Sequence, residues 1–140
     1  MSFDLVRYDL APAGYTPGTD PDIDSYSTFA DNNRVKKTEL DKKLRERNAP
    51  HIFVAGLATD YCVEGTVLDA FDLNYTTYFI EDAGGVIDFN VAKAQLDYLK
   101  QRNIVVIQAN QVKALISSGS DKSFSSILLV SINLFILLLL

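Results

Sequence analysis

The sequence predicts an α/β protein built on a parallel sheet. Three short apolar runs, at residues 52–57, 76–80 and 104–107, alternate with two amphipathic helical patterns. Continuous apolar runs are typical of parallel strands that are covered on both faces. The connections are short, which predicts right-handed βαβ crossovers. We expect a partial doubly wound sheet in three α/β/α layers, with the N-terminal strands missing and one sheet edge bare.

The sequence before the first apolar run predicts a loop followed by one helix. Residues 11–21 are rich in proline and glycine, which is typical of a loop. Thr38 and Asp41 resemble a capping box at a helix start, and Asp41 and Arg45 form an i,i+4 ion pair on it. Pro50 prevents the helix from continuing into the strand.

The second helix follows the 52–57 strand directly. Its predicted buried face consists of four apolar residues at helical spacing, namely Val63, Val67, Leu68 and Phe71. Gly65 lies inside this helix at a cost of about 1 kcal/mol relative to alanine. Asn74 is placed to end the helix in the left-handed conformation.

The third helix separates the strands at 76–80 and 104–107. Residues 76–80 are β-branched and aromatic, as strands favour. Asn90 is expected to cap the helix and Asn103 to close it. The predicted apolar face of this helix consists of Val91, Ala94, Tyr98 and Leu99.

The C-terminal segment differs sharply in composition from the rest. Residues 117–126 are small and polar, whereas residues 127–140 are apolar apart from Ser131 and Asn133. A helix of this apolar length would measure roughly 21 Å, which is short of the ~30 Å hydrocarbon core. Two interpretations stay open, namely a terminus that packs on the domain or aggregates, and a membrane anchor of the tail type.

Composition restricts the protein's partners and compartment. The 140 residues suit one domain, predicted at 18–116, between a divergent segment 1–17 and the tail 117–140. A net charge of −5 without a basic patch excludes nucleic acid as an expected partner. A single cysteine and an N-terminus unlike a signal peptide favour the cytoplasm. Membrane association through 127–140 is the alternative.

The cysteine lies where a strand gives way to a helix. It is Cys62, within the segment GLATDYCV at residues 56–63. Backbone N–H groups at a helix start lack intrahelical partners and carry the positive end of the helix dipole. A thiol placed there is expected to ionise more easily, and the thiolate is the nucleophilic form.

Three motifs in order resemble the nicotinamidase branch of the isochorismatase-like cysteine hydrolases. They are GTDPDIDSYS at residues 18–27, GLATDYCV at 56–63 and EDAGGV at 81–86. The resemblance extends over residues 18–108. It implies hydrolysis of nicotinamide to nicotinate and ammonia through a thioester on the cysteine.

The resemblance also implies roles for particular residues. Cys62 would be the nucleophile, and the backbone N–H groups of Ala58 and Cys62 would form the oxyanion hole, with a cis peptide between Leu57 and Ala58. The family lysine corresponds to Pro17, and the family's catalytic aspartate has no clear counterpart, Asp9 being a weak candidate. The zinc-like divalent metal of the family would find no ligand set, since the chain has a single histidine.

Four residues near the cysteine are candidates for the walls of a small aromatic-amide pocket: Tyr26, Phe29, Asp60 and Tyr61. Aromatic residues this near a sheet are more commonly part of the core. The family counterpart of Asp60 is structural, so we do not expect it to act as the base.

The leading hypothesis is therefore a nicotinamidase-like amidohydrolase whose activity is impaired in this chain. Nicotinamide is the expected small-molecule partner. The rival hypotheses are a non-catalytic subunit, which would form a homo- or hetero-oligomer through the exposed sheet edge, and a membrane-tethered remnant of the same family.

Overall fold

The computed structural model describes residues 22–118 and, as backbone only, the strand Ile127–Ile132. Pro17 and Asp9 lie outside the described residues. The described elements in chain order are α1 (Leu40–Glu46), β1 (His51–Leu57), a π-helical turn (Thr59–Val63), α2 (Glu64–Asp72), β2 (Thr76–Gly85), α3 (Phe89–Gln101), β3 (Val105–Ile107), α4 (Ala109–Ser118) and β4 (Ile127–Ile132).

The strands form one parallel sheet in the order β3-β2-β1-β4, so the predicted α/β class is confirmed. Strand β1 is central and buried on both faces, as its continuous apolar run predicted. Ile52 and Val54 face a core formed with α1, α2 and α3. Phe53 and Ala55 face a second core, to which α4 contributes. Helices therefore cover both faces of the sheet.

Three helices end in the same way before the strand that follows. Each ends on an asparagine in the left-handed region, and the residue after it donates its N–H to a carbonyl five positions back. The three donor–acceptor pairs are Ala49 with Leu44, Tyr75 with Ala70 and Ile104 with Leu99. All six side chains are buried in the same core. The left-handed ending predicted at Asn74 is confirmed, and Asn103, predicted to close its helix, is also left-handed.

The predicted starts of α1 and α3 need correction. In helix α1 the side chain of the N-cap residue, Glu39, makes no capping hydrogen bond. The preceding residue contributes instead, since Thr38 Oγ1 accepts from Leu40 N–H at 3.2 Å. Helix α3 is capped by Asp88 rather than Asn90, because the Asp88 carboxylate accepts from the N–H groups of Asn90 and Val91.

The predicted apolar face of α3 is wrong in most positions. Leu99 is buried, but Val91 and Tyr98 are 37% and 45% exposed. The sheet beneath α3 narrows to the three residues of β3, which leaves little surface for the helix to cover.

Strand β2 is longer than the sequence predicted and extends beside the end of β1. It continues from Ile80 to Gly85, with a register irregularity opposite Val54 and Gly56. Asp82, in this extension, accepts from Ala109 N–H at 2.7 Å and so holds the start of α4, a helix that the sequence did not predict.

The apolar tail contributes a strand rather than leaving the edge of β1 bare. Ile127 to Ile132 pairs in parallel with His51 to Gly56 along its whole length. The expected bare edge at β1 is therefore wrong, because the tail satisfies the backbone hydrogen bonds there. None of the helices described within residues 22–118 is long and apolar enough to cross a membrane.

Candidate functional site

The cysteine lies in a tightly folded turn at the carboxyl end of β1. The peptide bond between Leu57 and Ala58 is cis, as predicted. The Ala58 carbonyl then accepts from Tyr61 N–H and Val63 N–H, both at 3.2 Å, which closes the π-helical turn around Cys62. The turn leads without interruption into α2, so the thiol lies where the strand meets the helix start.

The Cys62 thiol is partly buried, and its pKa differs from the expectation. Burial raises the pKa of the thiol, and this outweighs hydrogen bonding from the backbone N–H groups of Ala58 and Cys62, which lowers it. The expectation of an easily ionised thiol is therefore wrong for the described residues, among which no charged side chain contributes to the shift. The backbone N–H groups of Ala58 and Cys62 therefore lie close enough to the thiol to act on its pKa.

Thr66 joins the cysteine turn to the loop that precedes α1. Its side chain is fully buried, and Oγ1 donates to the Cys62 carbonyl at 2.8 Å. The same oxygen accepts from Thr28 N–H at 3.1 Å. Thr66 is not among the residues singled out from the sequence. Its spacing of four residues from Cys62 is the signal that could have found it, because a threonine in a helix can bond the carbonyl one turn back.

Asp60 is buried and supports the cysteine turn. Its two carboxylate oxygens accept from Ile87 N–H at 3.1 Å and Asp88 N–H at 2.8 Å. Burial alone would raise the pKa of Asp60, but the N–H groups of Asp88 and Ile87 hold it below its ordinary value. The carboxylate therefore fixes the loop after β2 against the cysteine turn.

Gln95, on α3, and Glu64, at the start of α2, lie beside the turn. Gln95 Nε2 donates to the Asp60 carbonyl at 2.8 Å. Burial raises the pKa of Glu64, a hydrogen bond from Gln95 lowers it, and the Asp60 carboxylate raises it. Neither residue was singled out from the sequence, because their proximity depends on the packing of α3.

Tyr26 and Tyr61 form an aromatic pair at the mouth of an open cleft of about 340 Å³. Their ring centroids are 5.8 Å apart, and the side chains are 41% and 40% exposed. Asp60 also lines this cleft. Phe29 does not. It is buried in the core against Tyr75, with ring centroids 6.2 Å apart.

Two glycines allow the chain to approach the turn closely. A Cβ on Gly84 would lie 2.6 Å from Thr59 Oγ1 and 2.7 Å from the Gly56 carbonyl oxygen, so β2 can lie against the turn only without a side chain there. A Cβ on Gly65 would lie 3.3 Å from the backbone nitrogen of Ser27. The glycine inside α2 is therefore explained by the nearness of the Tyr26 loop.

The described residues do not fit the metal that the resemblance implies. Within residues 22–118 there is no group of three or more His, Cys, Asp or Glu side chains that could hold a metal ion. We therefore assign no chemistry to a metal in this part of the chain.

Comparison with known proteins identifies the family. The family model described as the Isochorismatase domain matches residues 24–111, and the chain belongs to this family. The nicotinamidase of Escherichia coli (strain K12) is 50% identical over 78 residues, which are 56% of this chain and 37% of that protein.

Solved structures give the same result. A nicotinamidase pyrazinamidase from Acinetobacter baumanii superposes with a TM-score of 0.61 at 37% identity, covering 64% of this chain and 44% of that one. The yeast nicotinamidase Pnc1p bound to the inhibitor nicotinaldehyde superposes with a TM-score of 0.59 at 30% identity, covering 62% and 41%. The chain thus spans less than half the length of these relatives.

Proposed function

We propose that this chain carries the nucleophile and the oxyanion hole of a nicotinamidase-like amidohydrolase, with nicotinamide as its substrate. The observation that carries the proposal is the tightly folded turn around Cys62, in which the Ala58 carbonyl accepts from Tyr61 and Val63 N–H and the thiol lies where β1 meets the start of α2. Family membership and the nicotinamidase names of the relatives support the substrate class. The exposed pair of Tyr26 and Tyr61 offers flat surfaces beside the turn for an aromatic ring.

In the proposed reaction the Cys62 thiolate attacks the carboxamide carbon. A carbon–sulfur bond forms, and the carbonyl electron pair moves onto oxygen, which accepts from the two backbone N–H groups. The tetrahedral adduct collapses with cleavage of the carbon–nitrogen bond, and the nitrogen leaves as ammonia once protonated. Water then attacks the thioester, which releases nicotinate and returns the thiol.

We further propose that turnover by this chain alone is impaired. The raised pKa of Cys62 keeps the thiol neutral near pH 7, and Pro17, at the position of the family lysine, supplies no cation to ionise it. The leaving nitrogen also needs a proton donor. General acid–base assistance is worth about 10²–10⁴-fold, so its loss would leave little measurable hydrolysis.

An aldehyde separates nucleophile addition from amide cleavage. Nicotinaldehyde, the inhibitor named with the yeast relative, can add the thiol to give a thiohemiacetal, which resembles the tetrahedral adduct and expels no leaving group. We expect the full chain to form this adduct, as seen by NMR of carbonyl-labelled nicotinaldehyde, and Cys62→Ala not to form it. In parallel, we expect ammonia release from nicotinamide to be equal for the two proteins.

Absence of an adduct at Cys62 would refute the proposed nucleophile. Ammonia release that depends on Cys62 would refute the proposed impairment and leave the nucleophile in place. Benzaldehyde provides the specificity control, since it has the same reacting carbon without the ring nitrogen. Equal affinity for the two aldehydes would contradict nicotinamide as the preferred substrate.

A further inference from the structure

One side chain on α3 reaches the cysteine turn. Gln95 Nε2 donates to the carbonyl of Asp60, two residues before Cys62, at 2.8 Å. Glu64, two residues after Cys62, lines the same cleft as Gln95, whose amide lowers the pKa of the Glu64 carboxyl. A single amide group from an element remote in sequence therefore bonds the turn next to Cys62.

The orientation of this amide is set by the turn. Gln95 Oε1 is buried and has no hydrogen-bond partner among the described residues. Exchanging the oxygen and nitrogen of the amide would place Oε1 against the Asp60 carbonyl, where two acceptors would face each other. The nitrogen is thus directed at the turn although the oxygen is left unpaired. An unpaired buried acceptor is unfavourable, and an apolar side chain of the same length would avoid it.

Asp60 receives a second set of contacts from the same region. Its carboxylate binds the N–H groups of Ile87 and Asp88, and Asp88 in turn caps α3. The start of α3 and Gln95, in its second turn, therefore both attach to Asp60.

We propose that Gln95 is a positioning residue, which holds the turn so that the N–H groups of Ala58 and Cys62 stay directed at the position of the reacting oxygen. It acts through its hydrogen bond to the Asp60 carbonyl. The inference deepens the proposed function and rests on it only for the identity of the reacting group.

The test compares Gln95→Met with Gln101→Met in the full chain. Methionine has nearly the same length as glutamine and lacks the amide donor. Gln101 is exposed on the same helix, so its replacement makes the same chemical change away from the turn. Gln95→Glu is a second variant, which keeps the shape of the side chain and removes the donor.

Two measurements report on the turn. Amide hydrogen exchange of Cys62 and Val63, followed by NMR, is expected to be about tenfold faster in Gln95→Met and Gln95→Glu, as for the loss of one hydrogen bond. The affinity for nicotinaldehyde is expected to fall by about the same factor, since its adduct needs both N–H groups. Gln101→Met should match the wild type in both measurements. Exchange in the strand β1 serves as the internal reference for global stability.

The inference would be overturned if amide exchange at the turn were as slow in both Gln95 variants as in the wild type. It would also be overturned if exchange rose equally in β1 and in the turn, since that would indicate general destabilisation. The two proposals fail separately. If the wild type forms no nicotinaldehyde adduct while the Gln95 variants still accelerate exchange at Cys62, the proposed function fails and the positioning role stands.

Discussion

Replacing Thr66 with valine should destabilise the junction between the cysteine turn and the loop before α1. Valine keeps nearly the same shape and removes a fully buried hydroxyl. Thr28 N–H then loses its acceptor at 3.1 Å, and an unpaired buried donor costs about 1–3 kcal/mol. The Cys62 carbonyl loses a donor at 2.8 Å, which contributes about 0.5–1.5 kcal/mol. We expect a decrease of about 2–4 kcal/mol in the free energy of unfolding.

Urea unfolding followed by tyrosine fluorescence measures this loss, since the chain has seven tyrosines and no tryptophan. Thr66→Ser keeps the hydroxyl and removes one methyl group, so its cost should be nearer 1 kcal/mol. Thr76→Val, on an exposed strand position, should cost little. If Thr66→Val unfolds at the same urea concentration as Thr66→Ser, the hydroxyl bonds do not stabilise the junction and the reasoning is refuted.

Three further outcomes follow from the structure. Gly84→Ala should destabilise the chain and increase hydrogen exchange at the turn, because the new Cβ would approach Thr59 and Gly56 within 2.7 Å; an unchanged unfolding midpoint would contradict this. The pH dependence of Cys62 alkylation by iodoacetamide should give a higher thiol pKa in the folded chain than in urea, because burial favours the neutral thiol. The free energy of unfolding should then fall as the pH rises past the thiol pKa of the unfolded chain. Removal of residues 127–140 should lower the urea midpoint and promote aggregation, since the paired edge of β1 is exposed; a monomeric variant with the original midpoint would show that β4 contributes nothing.

The parts of the fold that could be predicted depend on local sequence. Cys62 lies between β1, predicted from its continuous apolar run, and α2, predicted from its apolar spacing. Both elements are present as predicted. The left-handed endings at Asn74 and Asn103 were likewise predictable, because asparagine tolerates that conformation better than most residues.

The remaining features depend on contacts between distant segments. Which residues of α3 are buried depends on the width of the sheet beneath it, so Tyr98 was wrongly placed in the core. The composition of the apolar tail suits either a membrane anchor or a strand. The strand forms because the edge of β1 is free to pair with it, and that edge is a property of the folded sheet. Thr28 and Gln95 reach the turn from other elements, which explains why the support of the site was largely missed. The thiol pKa was wrongly anticipated because helix-start geometry was weighed without burial.

The repeated asparagine endings have a consequence for recombining this chain with its relatives. Each of Asn48, Asn74 and Asn103 closes a helix by the same backbone bonds and passes the chain to the next strand within a few residues. Segments exchanged at these asparagines would therefore leave each helix with its own cap and begin each strand from an equivalent backbone conformation. Chimeric libraries cut at these three junctions should yield a higher fraction of folded proteins than libraries cut within the helices.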